Sequence, residues 1–123
     1  MATFDPAQAP TQACQVCGTL FRQGYTHYFD GKQYQTEWLT DTTCDDCVQA
    51  ALYAPLAAEP RQQLEELIYQ RRILEGILLL KRSLGIGLKE ATALHHWRYK
   101  QLRAAQPQRF SCSDEAYWRG FYS

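Results

Sequence analysis

Four of the five cysteines in this 123-residue chain fall into two pairs, Cys14-x-x-Cys17 and Cys44-x-x-Cys47. Two intervening residues let the backbone turn tightly enough for both sulfurs of a pair to face one point, and two such pairs complete a tetrahedron of thiolates. The pattern predicts one structural Zn2+ per chain, held by Cys14, Cys17, Cys44 and Cys47. Catalytic zinc keeps a position open for water, usually with three protein ligands, and four cysteines close that shell. A deaminase-like site would place His or Cys, then x-Glu, ahead of a CxxC. His27 is followed by Tyr28 and Phe29, so that signature fails and His27 reads as a strand residue. A redox CxxC would need a βαβ setting, which is absent. No P-loop, Ser-His-Asp order or paired-carboxylate cleft stands out. The fifth cysteine, Cys112, sits beside Asp114 and Glu115, neighbours that do not favour nucleophilic chemistry. The chain is expected not to be an enzyme.

The first CxxC is followed by Gly18, which leaves a tight knuckle room for amide-to-sulfur hydrogen bonds. Tyr25–Phe29 and Gln33–Leu39 are rich in β-branched and aromatic residues and flank Asp30-Gly31, a hairpin signal because both turn positions tolerate positive φ. Thr42 or Thr43 can cap a helix from about Asp45 to Ala54, ended by Pro55. The second pair then lies at a helix start, where thiolates benefit from the positive end of the dipole. Knuckle, hairpin and cysteine-bearing helix together resemble a treble-clef zinc finger over about forty residues, with a zinc ribbon as the alternative.

Beyond residue 58 the pattern turns helical. Leu64, Leu67, Ile68, Leu74, Ile77, Leu78 and Leu84 recur at helical spacing, in one long helix or in two jointed near Gln70–Arg72. Gly85 and Gly87 end the run. Leu88, Ala91, Leu94, Tyr99 and Leu102 line a last long helix, with Gly87 at its start and Glu90 placed as in a capping box. The segment LLLKRSLGIGLKEATAL, Leu78–Leu94, resembles the helix–GxGLKEA–helix segment of the C-terminal domain of the bacterial ribosomal stalk protein. That resemblance covers about twenty residues. It implies a helical hairpin and contacts with translation factors, with Lys81, Arg82 and Lys89 at the basic positions. His95 and His96 point about 100° apart on a helix and do not converge on a metal by themselves. At least one of them is expected to face solvent. Ser113 can cap a short C-terminal helix with Asp114 and Glu115 in its first turn. Its aromatic residues either clasp the protein's own core or leave Trp118 or Tyr122 exposed as an anchor for a partner.

The expected fold is α+β: a small zinc-stabilised β-hairpin lobe packed on a helical hairpin, with a short C-terminal helix. The divisions read as a flexible lead-in at 1–12, the zinc lobe at 13–57, a helical lobe at 58–106 and an aromatic tail at 107–123. Net charge is zero, which gives the whole chain no electrostatic case for generic nucleic acid. Residues 1–58 carry a formal −4 and the remainder +4. A short cluster, Arg98, Lys100 and Arg103, is the one candidate for phosphate contact. No apolar run approaches a membrane span. The Ala/Pro/Gln-rich start does not read as a secretory signal, and paired cysteines in that context suit a reducing cytoplasm. The expected function is a zinc-stabilised protein–protein interaction protein, such as a bacterial adaptor, regulator or immunity protein. A nucleic-acid- or ribosome-associated binder is the alternative.

Overall fold

The computed structural model describes residues 5–122, with side chains described through Arg119. Four short strands come first: β1 (Thr11–Ala13), β2 (Leu20–Arg22), β3 (Tyr25–Phe29) and β4 (Tyr34–Trp38). Five helices follow: α1 (Asp45–Tyr53), α2 (Ala58–Tyr69), α3 (Ile73–Leu84), α4 (Leu88–Ala105) and α5 (Asp114–Tyr122). The strands form two separate antiparallel hairpins, β1–β2 and β3–β4. The fold is α+β, and the chain divides into two compact units, Met1–Val48 and Gln49–Ser123. That division falls inside α1, upstream of the change in composition near residue 58.

In the first unit, the β3–β4 hairpin forms where the Asp30-Gly31 signal places it, with Tyr25 opposite Trp38 and Phe29 opposite Tyr34. Only Gly31 takes a positive φ at the turn. Asp30 contributes through its side chain instead, accepting hydrogen bonds from the amides of Lys32 at 2.8 Å and Gln33 at 2.9 Å. Those bonds hold its carboxyl below its ordinary value, the Gln33 amide most strongly. The smaller hairpin departs from expectation. Thr11 and Gln12, read as part of a flexible lead-in, pair with Arg22 and Phe21. Three residues are too few to show an alternation in sequence, and the partner strand alone defines this one.

The second unit has a hydrophobic core, which its helices supply only in part from the expected positions: Leu74, Leu78 and Leu88, read as lining packed faces, are exposed, and Ile73 and Leu80 are buried in α3 instead. Leu64, Ile68, Ile77, Leu80, Ala91, Leu94 and Tyr99 are buried on α2, α3 and α4. The joint between α2 and α3 lies at Gln70–Arg72, where Arg71 takes φ 60°. A non-glycine residue there needs support. The Arg71 guanidinium supplies it by donating to the carbonyls of Ala116 and Tyr117 in α5. The tail packs on the core: Tyr117 stacks on Tyr99 with ring centres 4.2 Å apart, and its hydroxyl donates to the Ile68 carbonyl at 2.7 Å. Ser113 caps α5 by accepting from the Ala116 amide at 3.1 Å.

Between α3 and α4 the left-handed residue is Gly85, at φ 65° and ψ 34°. Gly87, which the sequence places at the helix start, does cap α4, but at φ −74°, an ordinary conformation. A Cβ at Gly87 would meet only the end of the flexible Glu90 side chain. The conformational demand therefore sits two residues earlier.

The two histidines of α4 differ. His95 is fully buried, whereas His96 is half-buried and keeps part of its ring at the surface. A Cβ on Gly76 of α3 would stand 2.8 Å from the His95 ring, so the missing side chain there makes room for the imidazole. Among the described residues, neither ring nitrogen of His95 has a hydrogen-bond partner, and the ring meets Trp118 edge-on at 5.9 Å. Burial, with some repulsion from His96, lowers its pKa from 6.5 to about 4. The neutral ring is the folded form.

Two outcomes follow from this core. Gly85→Val should cost about 1 kcal/mol or more in denaturant unfolding, whereas Gly87→Ala should change little. For His95, the unfolded chain binds a proton near pH 6.5 and the folded chain only near pH 4. Its contribution to stability is whole above pH 6.5 and is lost as pH falls through about 4. The loss is on the order of 3 kcal/mol at most. His95→Met should flatten that acid limb, measured as unfolding midpoints at pH 7 and pH 5. Parallel curves for the two proteins would refute the assignment.

Candidate metal centre

The β1–β2 hairpin is the first knuckle. Its strands bracket Cys14 and Cys17, with Cys14 N–H donating to the Thr19 carbonyl at 2.9 Å and Gly18 N–H to the Cys14 carbonyl at 2.8 Å. The second pair sits at the start of α1, Cys44 just before the helix and Cys47 in its first turn. Three sets of hydrogen bonds draw the two pairs together. Gln15 N–H donates to the Thr42 carbonyl at 2.9 Å. The Cys44 amide donates to the Cys14 sulfur at 3.3 Å. The buried side chain of Gln23 grips Asp41 from both ends, donating to its carbonyl at 2.8 Å and accepting from its amide at 3.1 Å. The sequence offered no signal for Gln23, because its partner is eighteen residues away.

The result is a cluster in which the sulfurs of Cys14, Cys17, Cys44 and Cys47 all lie within 4.8 Å of one another. Cys17 and Cys44 are 3.8 Å apart, and none of the four is in a disulfide. Four thiolates arriving from two turns match a tetrahedral site, so the cluster could hold a metal ion. The electrostatics point the same way. Amide donors from Cys44 and Cys17 bring the Cys14 thiol down from 9.0 to about 6. Hydrogen bonds from the Thr19 hydroxyl and amide lower Cys17. The Cys47 amide favours the Cys44 thiolate, but burial and the neighbouring sulfurs outweigh it and raise Cys44. Cys47 is pushed up by the sulfurs of Cys44 and Cys17 and by burial. Two sulfurs are set to ionise, and burial together with the crowding of neighbouring sulfurs holds the other two back. A divalent cation removes that opposition and lets all four ligate.

The remaining candidates fall elsewhere. His27 lies on β3, with its Nδ1 2.8 Å from the Thr36 hydroxyl. Arg98 is paired with Glu65, and Arg103 donates to Tyr99 and to the Cys112 carbonyl, so both are engaged within the protein. Trp97 packs against Tyr53 at 5.6 Å. Trp118 is only 7% exposed and stacks on His96 at 4.8 Å, so surface exposure does not support its role as a partner anchor. The Tyr122 side chain lies outside the described residues. Among those described, no second group of three or more His, Cys, Asp or Glu side chains could hold a metal. No described helix is long and apolar enough to cross a membrane.

Among the described residues of the first unit, only Cys14, Gln23 and Cys44 are buried. A unit with so little core has few apolar contacts to hold it, and a metal bound at the cysteine cluster would add stability there. Elemental analysis should therefore return one divalent ion per chain. Chelation, or Cys44→Ser, should abolish amide-exchange protection across residues 11–47. For structural zinc sites the binding energy at stake is about 10–16 kcal/mol. Full protection in a metal-free sample would refute this.

Comparison with protein-family models, with curated protein sequences and with solved structures finds no match, and so lends no support to the resemblance of Leu78–Leu94 to the ribosomal stalk protein beyond a local helix–turn–helix.

Proposed function

We propose that this is a zinc-stabilised, non-catalytic protein-binding protein of the cytoplasm, whose cysteine lobe is a treble-clef finger presenting an interaction surface. Zinc is favoured because four thiolates in paired CxxC turns suit its tetrahedral preference. The treble-clef reading rests on the order of the elements: knuckle, β3–β4 hairpin, then α1 with the second pair at its start. A closed four-sulfur shell leaves the metal no position for substrate or water, which supports a structural rather than a catalytic ion.

The observation that carries the binding role is the β3–β4 hairpin. Five aromatic residues, Tyr25, Tyr28, Phe29, Tyr34 and Trp38, stand on two five-residue strands, and none is buried. Tyr34 is 80% exposed and Phe29 59%. A soluble surface tolerates single exposed rings, but a contiguous group marks an interaction site, and Tyr and Trp are the residues interfaces favour. The alternative, a nucleic-acid binder, has less support, since Arg98 and Arg103 are held by intramolecular partners.

Pulldown from a cell extract, with and without nuclease, separates the two readings. Protein capture that resists nuclease and drops with Phe29→Leu/Tyr34→Leu is the expected result. Capture that disappears with nuclease would replace this reading with the nucleic-acid one.

A further inference from the structure

Three of the leucines that recur at helical spacing find no place in the core of the second unit. Leu67 of α2 and Leu74 and Leu78 of α3 lie outside its buried cluster. Leu67 and Leu78 instead line a groove of about 530 Å³ between the two helices. Its walls are two stripes at helical spacing, Gln63, Leu67 and Gln70 on α2 and Glu75, Leu78 and Arg82 on α3. The α2–α3 hairpin turns at Gln70–Arg72, so the stripes run in opposite directions and form three layers. Seven residue steps on each helix make the groove about 10 Å long. Its middle layer is apolar, with Leu79 beside Leu67 and Leu78.

Shape and charge together say what would cover this groove. It is open to solvent on one side, whereas a small-molecule site encloses most of its ligand. Two ridged helical walls instead match a third helix, whose side chains interlock with them. The charges are uneven. Arg72 and Glu75 are bonded to each other at 2.7 Å, and Glu66 lies 3.9 Å from Arg109. Of the charged residues lining the groove, only Arg82 has no carboxylate partner among the described residues. It stands at the end away from the joint, in a unit of formal charge +4. The groove thus offers an apolar middle and one uncompensated positive end, which a negative group complements.

From this we infer that the α2–α3 groove docks one amphipathic helix of a protein partner, apolar residues on Leu67, Leu78 and Leu79 and a carboxylate paired with Arg82. The groove lies wholly in the second unit, so this site stands apart from the hairpin surface proposed above. Apolar residues at i, i+4 and i+7 of the partner helix span the same seven steps as the walls. Glu66 and Glu75 border the rest of the groove, so the partner's carboxylate belongs at the Arg82 end and a helix acidic throughout is disfavoured.

The test is an NMR titration of the full, metal-loaded chain with alanine-based helical peptides carrying leucines at i, i+4 and i+7. Two versions place one glutamate a turn before the first leucine or a turn after the last. Signals from Leu67, Leu78 and Leu79 should move, and those from Phe29 and Tyr34 should not. One of the two versions should bind about three- to fivefold more tightly than its glutamine counterpart, and Arg82→Gln should erase that difference. Leu78→Asn, at an exposed position, should weaken binding roughly 5- to 10-fold with the unfolding midpoint retained. Lys100→Gln makes the same charge change elsewhere on the second unit and should stay within about twofold of the parent. Equal binding of a peptide with its leucines spread around the helix, a glutamate preference that survives Arg82→Gln, or no groove shift at any peptide concentration would overturn the inference. Groove shifts that grow with protein concentration alone would seat a second copy of the chain there instead, and tighter binding of decanoate than of the peptides would seat a small apolar acid. Either would also overturn it, while the hairpin reading would still rest on its own pulldown.

Discussion

Four sulfur atoms, each able to carry a negative charge, lie within 4.8 Å of one another, and the first unit is organised around that crowding. Bare thiolates at such distances repel, which is why the donors that lower Cys14 and Cys17 accompany raised values at Cys44 and Cys47. A cation converts the repulsion into the strongest attraction in the unit. The strands bring almost nothing else to hold the unit. Apart from the sulfurs, the amide of Gln23 is the only buried side chain among the described residues of that unit, and it acts as a clamp on the loop before Cys44 rather than as core.

That economy has a consequence for the surface. In a unit with so little core, Tyr25, Tyr28, Phe29 and Tyr34 of β3–β4 stay exposed. The second unit is built the other way. Tyr99, Tyr117 and Trp118 are buried in one contact group, with hydroxyls satisfied by Asp114 and by the Ile68 carbonyl. Burial and the Asp114 hydrogen bond raise Tyr99 to about 12, so its hydroxyl stays a donor at any ordinary pH. Here buried apolar area holds the unit together.

The helical core also contains an element that apolar packing alone would not select. His95 fills space left by Gly76, with both ring nitrogens unpaired among the described residues. An uncompensated imidazole is a poorer core residue than an aliphatic one of similar size. It binds the core's integrity to the neutral state of one ring, and so couples this unit to acid.

The sequence by itself singled out the four cysteines, because CxxC spacing is a local geometric property, whereas the contacts that bring the two pairs together were not legible in it. It also determined the β3–β4 hairpin, through Asp30 and Gly31, and the helices of the second unit, through apolar recurrence between Leu64 and Leu102. Only the tertiary structure decided the rest, and in each case a partner remote in sequence was the reason. β1 exists because β2 pairs with it. Gly76 and His95, nineteen positions apart, share one space. Which glycine of Gly85-Ile86-Gly87 must be left-handed depended on how α3 ends, with the Gly85 amide reaching back to the Lys81 carbonyl. Trp118 reads from composition as either clasp or anchor, and its burial against His96 was fixed by packing. Conversely, nothing in the order of residues 25–38 said that their rings would stay outside. Alternation assigns faces to a strand, but whether a face is covered depends on what the rest of the chain leaves beside it.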